Sequence, residues 1–396
     1  MGRALLGLFA VPLVLCEIAY LSGERFTAWA LVNVAIYPLI TLASVALHEG
    51  GHLLAARAFG LQVPRVQLGL GRQLQRRRWA QTTVTVHVLP LAGMTYVGGK
   101  SAWGVRWPYW AAVAAGPAVT LAIVLGLVAG HGGGSLGELF LPIAAIASRP
   151  APLEMAAFAN ASMLFWNLLP LPLFRGRGIE RNDGAQLLAV PFWPARRLEL
   201  LEITPGIVDA EERRERGDHE GAADVLDGLH RRFPDSWAVL HSMAIIQMER
   251  GRLAEARSSL VALLGTEPPL PEMRWAVRNN LAWVDYRLRD DDLRAEADEH
   301  SAAVLKRYKR VGWALGTRGA VLGWLGRHSE AIPLLERAYL LNSTARNRAL
   351  NAASLTVVLA GSGQASQAAV WLERARTNDA GCPLLPEAEA ALAALR

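Results

Sequence analysis

Four apolar segments in the first half of the chain, residues 4–22, 28–59, 109–130 and 153–173, come close to the roughly 20 residues that carry a helix across a bilayer. They are too long and too poor in polar faces for the core of a soluble protein. The expectation is a mostly α chain whose N-terminal part is a polytopic membrane domain of about four spans. Between the second and third runs lie Arg65, Arg72, Arg76, Arg77, Arg78, Lys100 and Arg106, and after the fourth lie Arg175, Arg177, Arg181, Arg196 and Arg197. The opposite connections, 23–27 and 131–152, hold only Arg25 and Arg149. Lys and Arg collect on the cytoplasmic side of spans. This rule places the N-terminus, the 60–108 loop and everything after 174 in the cytoplasm.

The same distribution accounts for the charge. Residues 1–200 carry 16 Lys+Arg against 8 Asp+Glu, so the net +6 of the whole chain originates in the apolar half and calls for a bilayer, not nucleic acid. Residues 1–27 read as a retained transmembrane helix, because no Ala-x-Ala processing site follows the apolar run. Residues 139–147 are too short to cross and are expected at the outer interface. The 66–99 stretch is β-branched, partly alternating and punctuated by Gly, which reads as a small hairpin at the cytoplasmic membrane surface. His87 falls within it as a strand residue. Cys16 and Cys382 are too few for a disulfide framework or a Cys-ligated zinc site.

Against this background the stretch SVALHEGGHLLA, residues 44–55, stands out. On a helix, positions i and i+4 share a face, so His48 and His52 can turn both imidazoles toward one ion while Glu49 lies beside them. Burying three such groups in hydrocarbon without a partner costs several kcal/mol, which favours a metal site. Zn2+ takes three protein ligands in a catalytic site and keeps one position open for water. Glu49 is then the general base. Candidates for the third ligand in or next to apolar segments are Glu17, His87, His131, Glu154, Glu180 and Asp183. Glu180 and Asp183 share the depth of the His48 end and adjoin an apolar segment; Asp183, followed by Gly184, is the preferred one.

HEGGH (48–52), LPLAGMTYVGG (89–99), AAGPAVT (114–120), NLLPLP (167–172) and NDG (182–184) together make residues 28–195 resemble the site-2 protease family of intramembrane zinc metalloproteases. The resemblance implies a protease that cuts within or beside a transmembrane helix of a membrane-protein substrate. It implies His48, His52 and Asp183 as zinc ligands, Glu49 as base and Asn167 as a substrate-binding or oxyanion-stabilising side chain. Its surface hairpin, matched by 84–99, is thought to clamp the unwound substrate. Two departures are visible: LFRGRGIERN separates Pro172 from Asp183, and Thr120 stands where the family often has Asn.

From about residue 205 the texture changes to charged, Ala- and Leu-rich repeats. Gly217, Gly251, Asp292, Gly326 and Gly363 recur at spacings of 34, 41, 34 and 37, each followed five residues later by Ala222, Ala256, Ala297, Ala331 or Ala368. A period near 34 with Gly between helices and small residues where helices touch resembles tetratricopeptide repeats. The expected organisation is a transmembrane helix (1–27), a protease domain (28–195), a linker (196–206) and an α-solenoid (207–396) that binds a protein partner. The five His of this part, His219, His230, His241, His300 and His328, read as solvated or interhelical. The alternative function is a membrane-anchored repeat scaffold whose metal site is structural or lost.

Overall fold

In the computed structural model the chain divides into two compact units, Met1–Asp209 and Ala210–Arg396. The structure describes residues 2–101, 104–132, 134–170, 172–175, 178–268, 271–342 and 344–395. The first unit comprises helices α1 (Gly2–Leu21) and α2 (Trp29–Ala58), strands β1 (Gln62–Trp79) and β2 (Thr82–Gly98), and helices α3 (Arg106–Gly130), α4 (Leu136–Phe140), α5 (Ile143–Ser148) and α6 (Pro152–Leu168). Strands β3 (Pro172–Arg175) and β4 (Gly178–Arg181) and helices α7 (Asp183–Ala189) and α8 (Ala195–Glu215) follow.

Of the four expected spans, two helices among the described residues, α2 with 30 residues and α3 with 25, are long and apolar enough to cross a bilayer. The segment expected to continue to 173 stops at Leu168, giving a helix of 17 residues. Pro170 explains the stop: its ring disfavours helical geometry at Leu169, which is extended at φ −65° and ψ 115°. Residues 139–147 break at Pro142 into α4 and α5. Asn33 of α2 holds their exit: its Nδ2 donates to the Ile146 and Arg149 carbonyls at 3.0 and 2.8 Å, and its Oδ1 accepts from Ala151 N at 3.1 Å. A buried amide is tolerated there because its hydrogen-bonding groups are used.

The small hairpin is larger than the sequence suggested. Residues 65–68 of β1 pair with both 83–86 and 93–96 of β2, and 73–79 pair with 82–87, so two long strands bend back into a compact sheet. Gly69 and Gly71, at φ +88° and +83°, supply the bend. Trp79 and Thr82, at the turn, meet Arg57 near the end of α2: the Trp79 ring lies 5.7 Å from the guanidinium, and Arg57 Nη2 donates to Thr82 Oγ1 at 2.9 Å. The 93–95 stretch lies instead against Glu49, roughly 12 Å further along the helix axis at 1.5 Å per residue.

The stretch expected as a linker, 196–206, is helical and lies inside α8. Leu198 and Leu201, one turn apart, are buried with Val190 and Trp193 in the core shared with α2 and β1, which keeps the chain helical. Pro205 lies within α8 and cannot donate to the Leu201 carbonyl. Gly99 N donates to that carbonyl instead, at 2.8 Å.

The second unit continues with α9 (His219–Arg232), α10 (Trp237–Glu249), α11 (Leu253–Leu264), α12 (Met273–Leu288), α13 (Arg294–Arg307), α14 (Gly312–Trp324), α15 (His328–Leu341), α16 (Ala345–Gly361), α17 (Ala365–Asn378) and α18 (Leu385–Ala393). Gly217, Gly251, Gly326 and Gly363 stand at the turns within helix pairs with φ between +75° and +81°. The third pair lacks the Gly. Its left-handed residue is Arg289, at φ 58°, followed by the short 3-10 turn Asp291–Leu293, and the 41-residue spacing also reflects the longer connection between α11 and α12 and the greater length of α12. All five register alanines, Ala222, Ala256, Ala297, Ala331 and Ala368, are fully buried. A larger side chain there would separate paired helices, so these positions carry the repeat.

Candidate metal centre

His48, Glu49 and His52 are buried one turn apart on α2, which is helical through the HEGGH stretch although it contains two Gly. One of those Gly has a packing reason. A Cβ on Gly51 would stand 2.8 Å from the Ala115 carbonyl oxygen of α3, and a Cβ on Gly116 would overlap the His52 ring. The HEGGH and AAGP motifs are thus two sides of one close helix crossing, the use of small residues expected between apolar helices.

That crossing decides which way the imidazoles face. His52 Nδ1 is 2.8 Å from the Ala112 carbonyl, which can only accept, so Nδ1 carries the proton and donates. His48 Nδ1 is 2.8 Å from Thr120 Oγ1, whose own hydroxyl donates to the Gly116 carbonyl at 3.2 Å, so His48 also donates from Nδ1. Both Nε2 atoms are therefore left with lone pairs. They face each other at 3.2 Å, and Asp183 Oδ2 lies 3.0 Å from one and 3.6 Å from the other. Three electron-pair donors converge on one point, which calls for a cation. Ligands about 2.0–2.1 Å from a tetrahedral zinc ion stand roughly 3.3 Å apart, close to the three separations found. The donor set therefore fits zinc.

Asp183 reaches this point across the insertion that separates it from Pro172. The insertion folds as the β3–β4 hairpin, with Pro172 paired to Arg181, so the chain returns to where it left. Asn182, the first residue of NDG and given no role of its own in the sequence motif, then fixes the start of α7. Its Oδ1 accepts from Ala185 N at 3.1 Å, and its Nδ2 donates to the Trp166 carbonyl at 2.8 Å and to the Leu169 carbonyl. The signal was present: Asn directly before a short apolar run is an N-cap. Gly184 lets α7 lie against the Leu168 backbone, where a Cβ would overlap the carbonyl. Tyr109 and Trp110 of α3 hold the other side, donating to Gln186 Oε1 at 2.7 Å and to the Leu187 carbonyl at 2.9 Å.

Asn167 lies beside the centre, its Nδ2 3.3 Å from His48 Nε2. The Glu49 carboxylate lies within 4.8 Å of the imidazole nitrogens, and Thr95 Oγ1 donates to its Oε2 at 2.6 Å. The remaining candidates lie elsewhere. Glu17 is exposed on α1, Glu154 is paired with Arg149 at 2.6 Å, His87 meets the Gly71 carbonyl at 2.9 Å, and His131 caps the far end of α3. The side chain of Glu180 is outside the described residues.

Two imidazoles and a carboxylate converging from packed apolar helices, with a second carboxylate alongside, form the donor arrangement of a metallopeptidase centre. Residues 37–183 match the model of peptidase family M50. Among curated proteins, the chain is 32% identical over 110 residues to the zinc metalloprotease Rip1 of Mycobacterium tuberculosis, a match covering 24% of this chain and 27% of that protein. It is 34% identical over 74 residues to Rip1 of Mycolicibacterium smegmatis, covering 18% of each. Among solved structures it is similar to TTC0263, a thermophilic TPR protein of Thermus thermophilus, at 16% identity and a TM-score of 0.38 over 48% of this chain and 97% of that one. Similarity to YrrB, a TPR protein with an unusual peptide-binding site, is 15% with a TM-score of 0.30, covering 47% and 91%.

Proposed function

We propose that the chain is a zinc-dependent intramembrane endopeptidase that cleaves a membrane protein within or next to a transmembrane segment, and that its repeats bind the substrate tail, an adaptor or a regulator. The observation that carries this reading is the convergence of His48 Nε2, His52 Nε2 and Asp183 Oδ2 within 3.6 Å of one another. These three atoms would hold zinc, which when bound supplies Lewis-acid polarisation of the scissile carbonyl and acidifies water. Glu49 takes the proton of the attacking water and hands it to the leaving amine. Asn167, an amide donor beside the centre, stabilises the charge that develops on the carbonyl oxygen. The backbone at Leu169 is non-helical, and at membrane depth such backbone is tolerated where it is buried in protein or lines a wet cavity, which hydrolysis requires.

In this reading α1, α2, α3 and α6 all cross the membrane, α6 by packing its short length against α2 and α3, and the basic loops put the N-terminus and the repeats in the cytoplasm. The test is cleavage of a reconstituted membrane-protein substrate by pure protein. Glu49→Gln is expected to keep one zinc per chain and to lose cleavage. Zinc-dependent turnover retained by that variant would remove the base from the mechanism.

A further inference from the structure

Glu49 is close enough to the metal ligands to become one. Its carboxylate and the nitrogens of His48 and His52 all lie within 4.8 Å of one another. An unrestrained carboxylate at that distance would swing onto the cation and occupy the position that water needs. Two features of β2 oppose this. Thr95 Oγ1 donates to Glu49 Oε2 at 2.6 Å and lies 3.5 Å from the Glu49 carbonyl oxygen. Gly93 presents bare backbone to the other side of the carboxylate, where any Cβ would overlap Oε1 and Cγ. Glu49 as a whole is 4% exposed, so no bulk water competes for these contacts.

We propose that Thr95 is the positioning residue of the general base: it holds Glu49 off the metal, and Gly93 leaves the room in which it is held. This rests on the reading of Glu49 as proton acceptor. Because Thr95 belongs to the sheet, and the three ligands belong to α2 and α7, holding the metal and holding the base are separable tasks. Losing the Thr95 hydroxyl removes the second and spares the first.

The experiment uses the full chain loaded with cobalt(II), whose visible absorption reports coordination number, alongside cleavage by the zinc form. Thr95→Val is expected to bind one metal ion per chain, to show the cobalt spectrum of added carboxylate ligation, and to lose roughly 10- to 100-fold in kcat at unchanged KM, the usual size of an outer-shell effect. Thr95→Ser restores both spectrum and kcat. Gly93→Ala, which keeps the hydroxyl but displaces the carboxylate, shifts the spectrum in the same way. In a Glu49→Gln background, Thr95→Val leaves the spectrum unchanged. A Thr95→Val protein with the parent spectrum and kcat overturns the proposal, as does one that loses its metal, since Thr95 would then hold the centre together. Normal cleavage by Glu49→Gln alone would instead defeat the reading of Glu49 as proton acceptor, whatever the cobalt spectra show.

Discussion

Thr120 shows how much one hydroxyl settles. It replaces the Asn often found in related sequences, and it still accepts the Nδ1 proton of His48 because its own proton goes to the Gly116 carbonyl. Thr120→Val would leave that Nδ1–H buried without an acceptor and free the ring to adopt its other tautomer. Zinc affinity should fall roughly 10- to 100-fold, measured by competition with a chromogenic chelator, and Thr120→Asn should recover most of it. Asp183→Ala removes the carboxylate of the proposed ligand set and should leave the purified protein without stoichiometric zinc by elemental analysis. Retention of one zinc per chain in that variant would mean that another side chain completes the set. The partners of Thr95 and Thr120 are unmarked in the sequence: Thr is common in apolar helices and strands, and a partner 46 or 72 residues away is defined only by packing.

Among elements, the turns of the repeats separate conformational from steric demand. Around Gly326, at φ +76°, nothing lies within 4 Å of where a Cβ would be, so Gly is needed for its left-handed backbone alone. Gly326→Ala should therefore destabilise the second unit by about 1–2 kcal/mol, the usual left-handed penalty, and Gly326→Asn by less. Chemical denaturation followed by circular dichroism checks both. Equal losses in the two variants would point to packing rather than to backbone. At the third turn Arg289 bears the same conformation and uses its side chain, which pairs with Glu387 and lies 4.1 Å from the Tyr286 ring centroid. In the first unit the β3–β4 hairpin plays the equivalent part. An insertion whose ends pair adds length without moving Asp183.

On the scale of the whole molecule, His241 and Asp285 of the second unit are buried titrating groups whose effects oppose one another. Burial pushes the His241 imidazole down to about 4, where its neutral Nε2 accepts from Asn280 Nδ2 at 3.1 Å. The unfolded chain takes up a proton near 6.5 and the folded one does not, so His241 favours folding above 6.5 and less so as pH falls toward 4. Asp285 behaves oppositely. Burial drives its carboxyl up to about 6 despite the Arg257 guanidinium 2.7 Å away, so its contribution is complete below 3.8 and lost as pH rises through 6. Between pH 4 and 6 the two slopes, each about 1.4 kcal/mol per pH unit for one proton, largely cancel. Amide hydrogen exchange of α10 and α12 in the intact chain should show protection that depends less on pH in that window than in either single variant. Protection should decrease with rising pH in His241→Gln and increase with it in Asp285→Asn. A steep slope in the parent protein would show that the pair does not balance.

The sequence by itself determined what periodicity and composition can carry: two long apolar helices, an i, i+4 pair of His with an adjacent Glu, and helix pairs repeating on Gly and Ala. Each of these is local, because a helix brings residues three and four apart together whatever surrounds it. It overstated α6, whose end depends on Pro170, and it took for a linker the stretch in which Leu198 and Leu201 find a core. The tertiary structure alone decided that Asp183 meets His48 and His52 across 135 residues, that both imidazoles turn their lone pairs inward, and that Thr95 grips Glu49. Those outcomes depend on how closely α2, α3, α7 and the sheet approach, which backbone packing around Gly51, Gly93, Gly116 and Gly184 sets and no local pattern encodes.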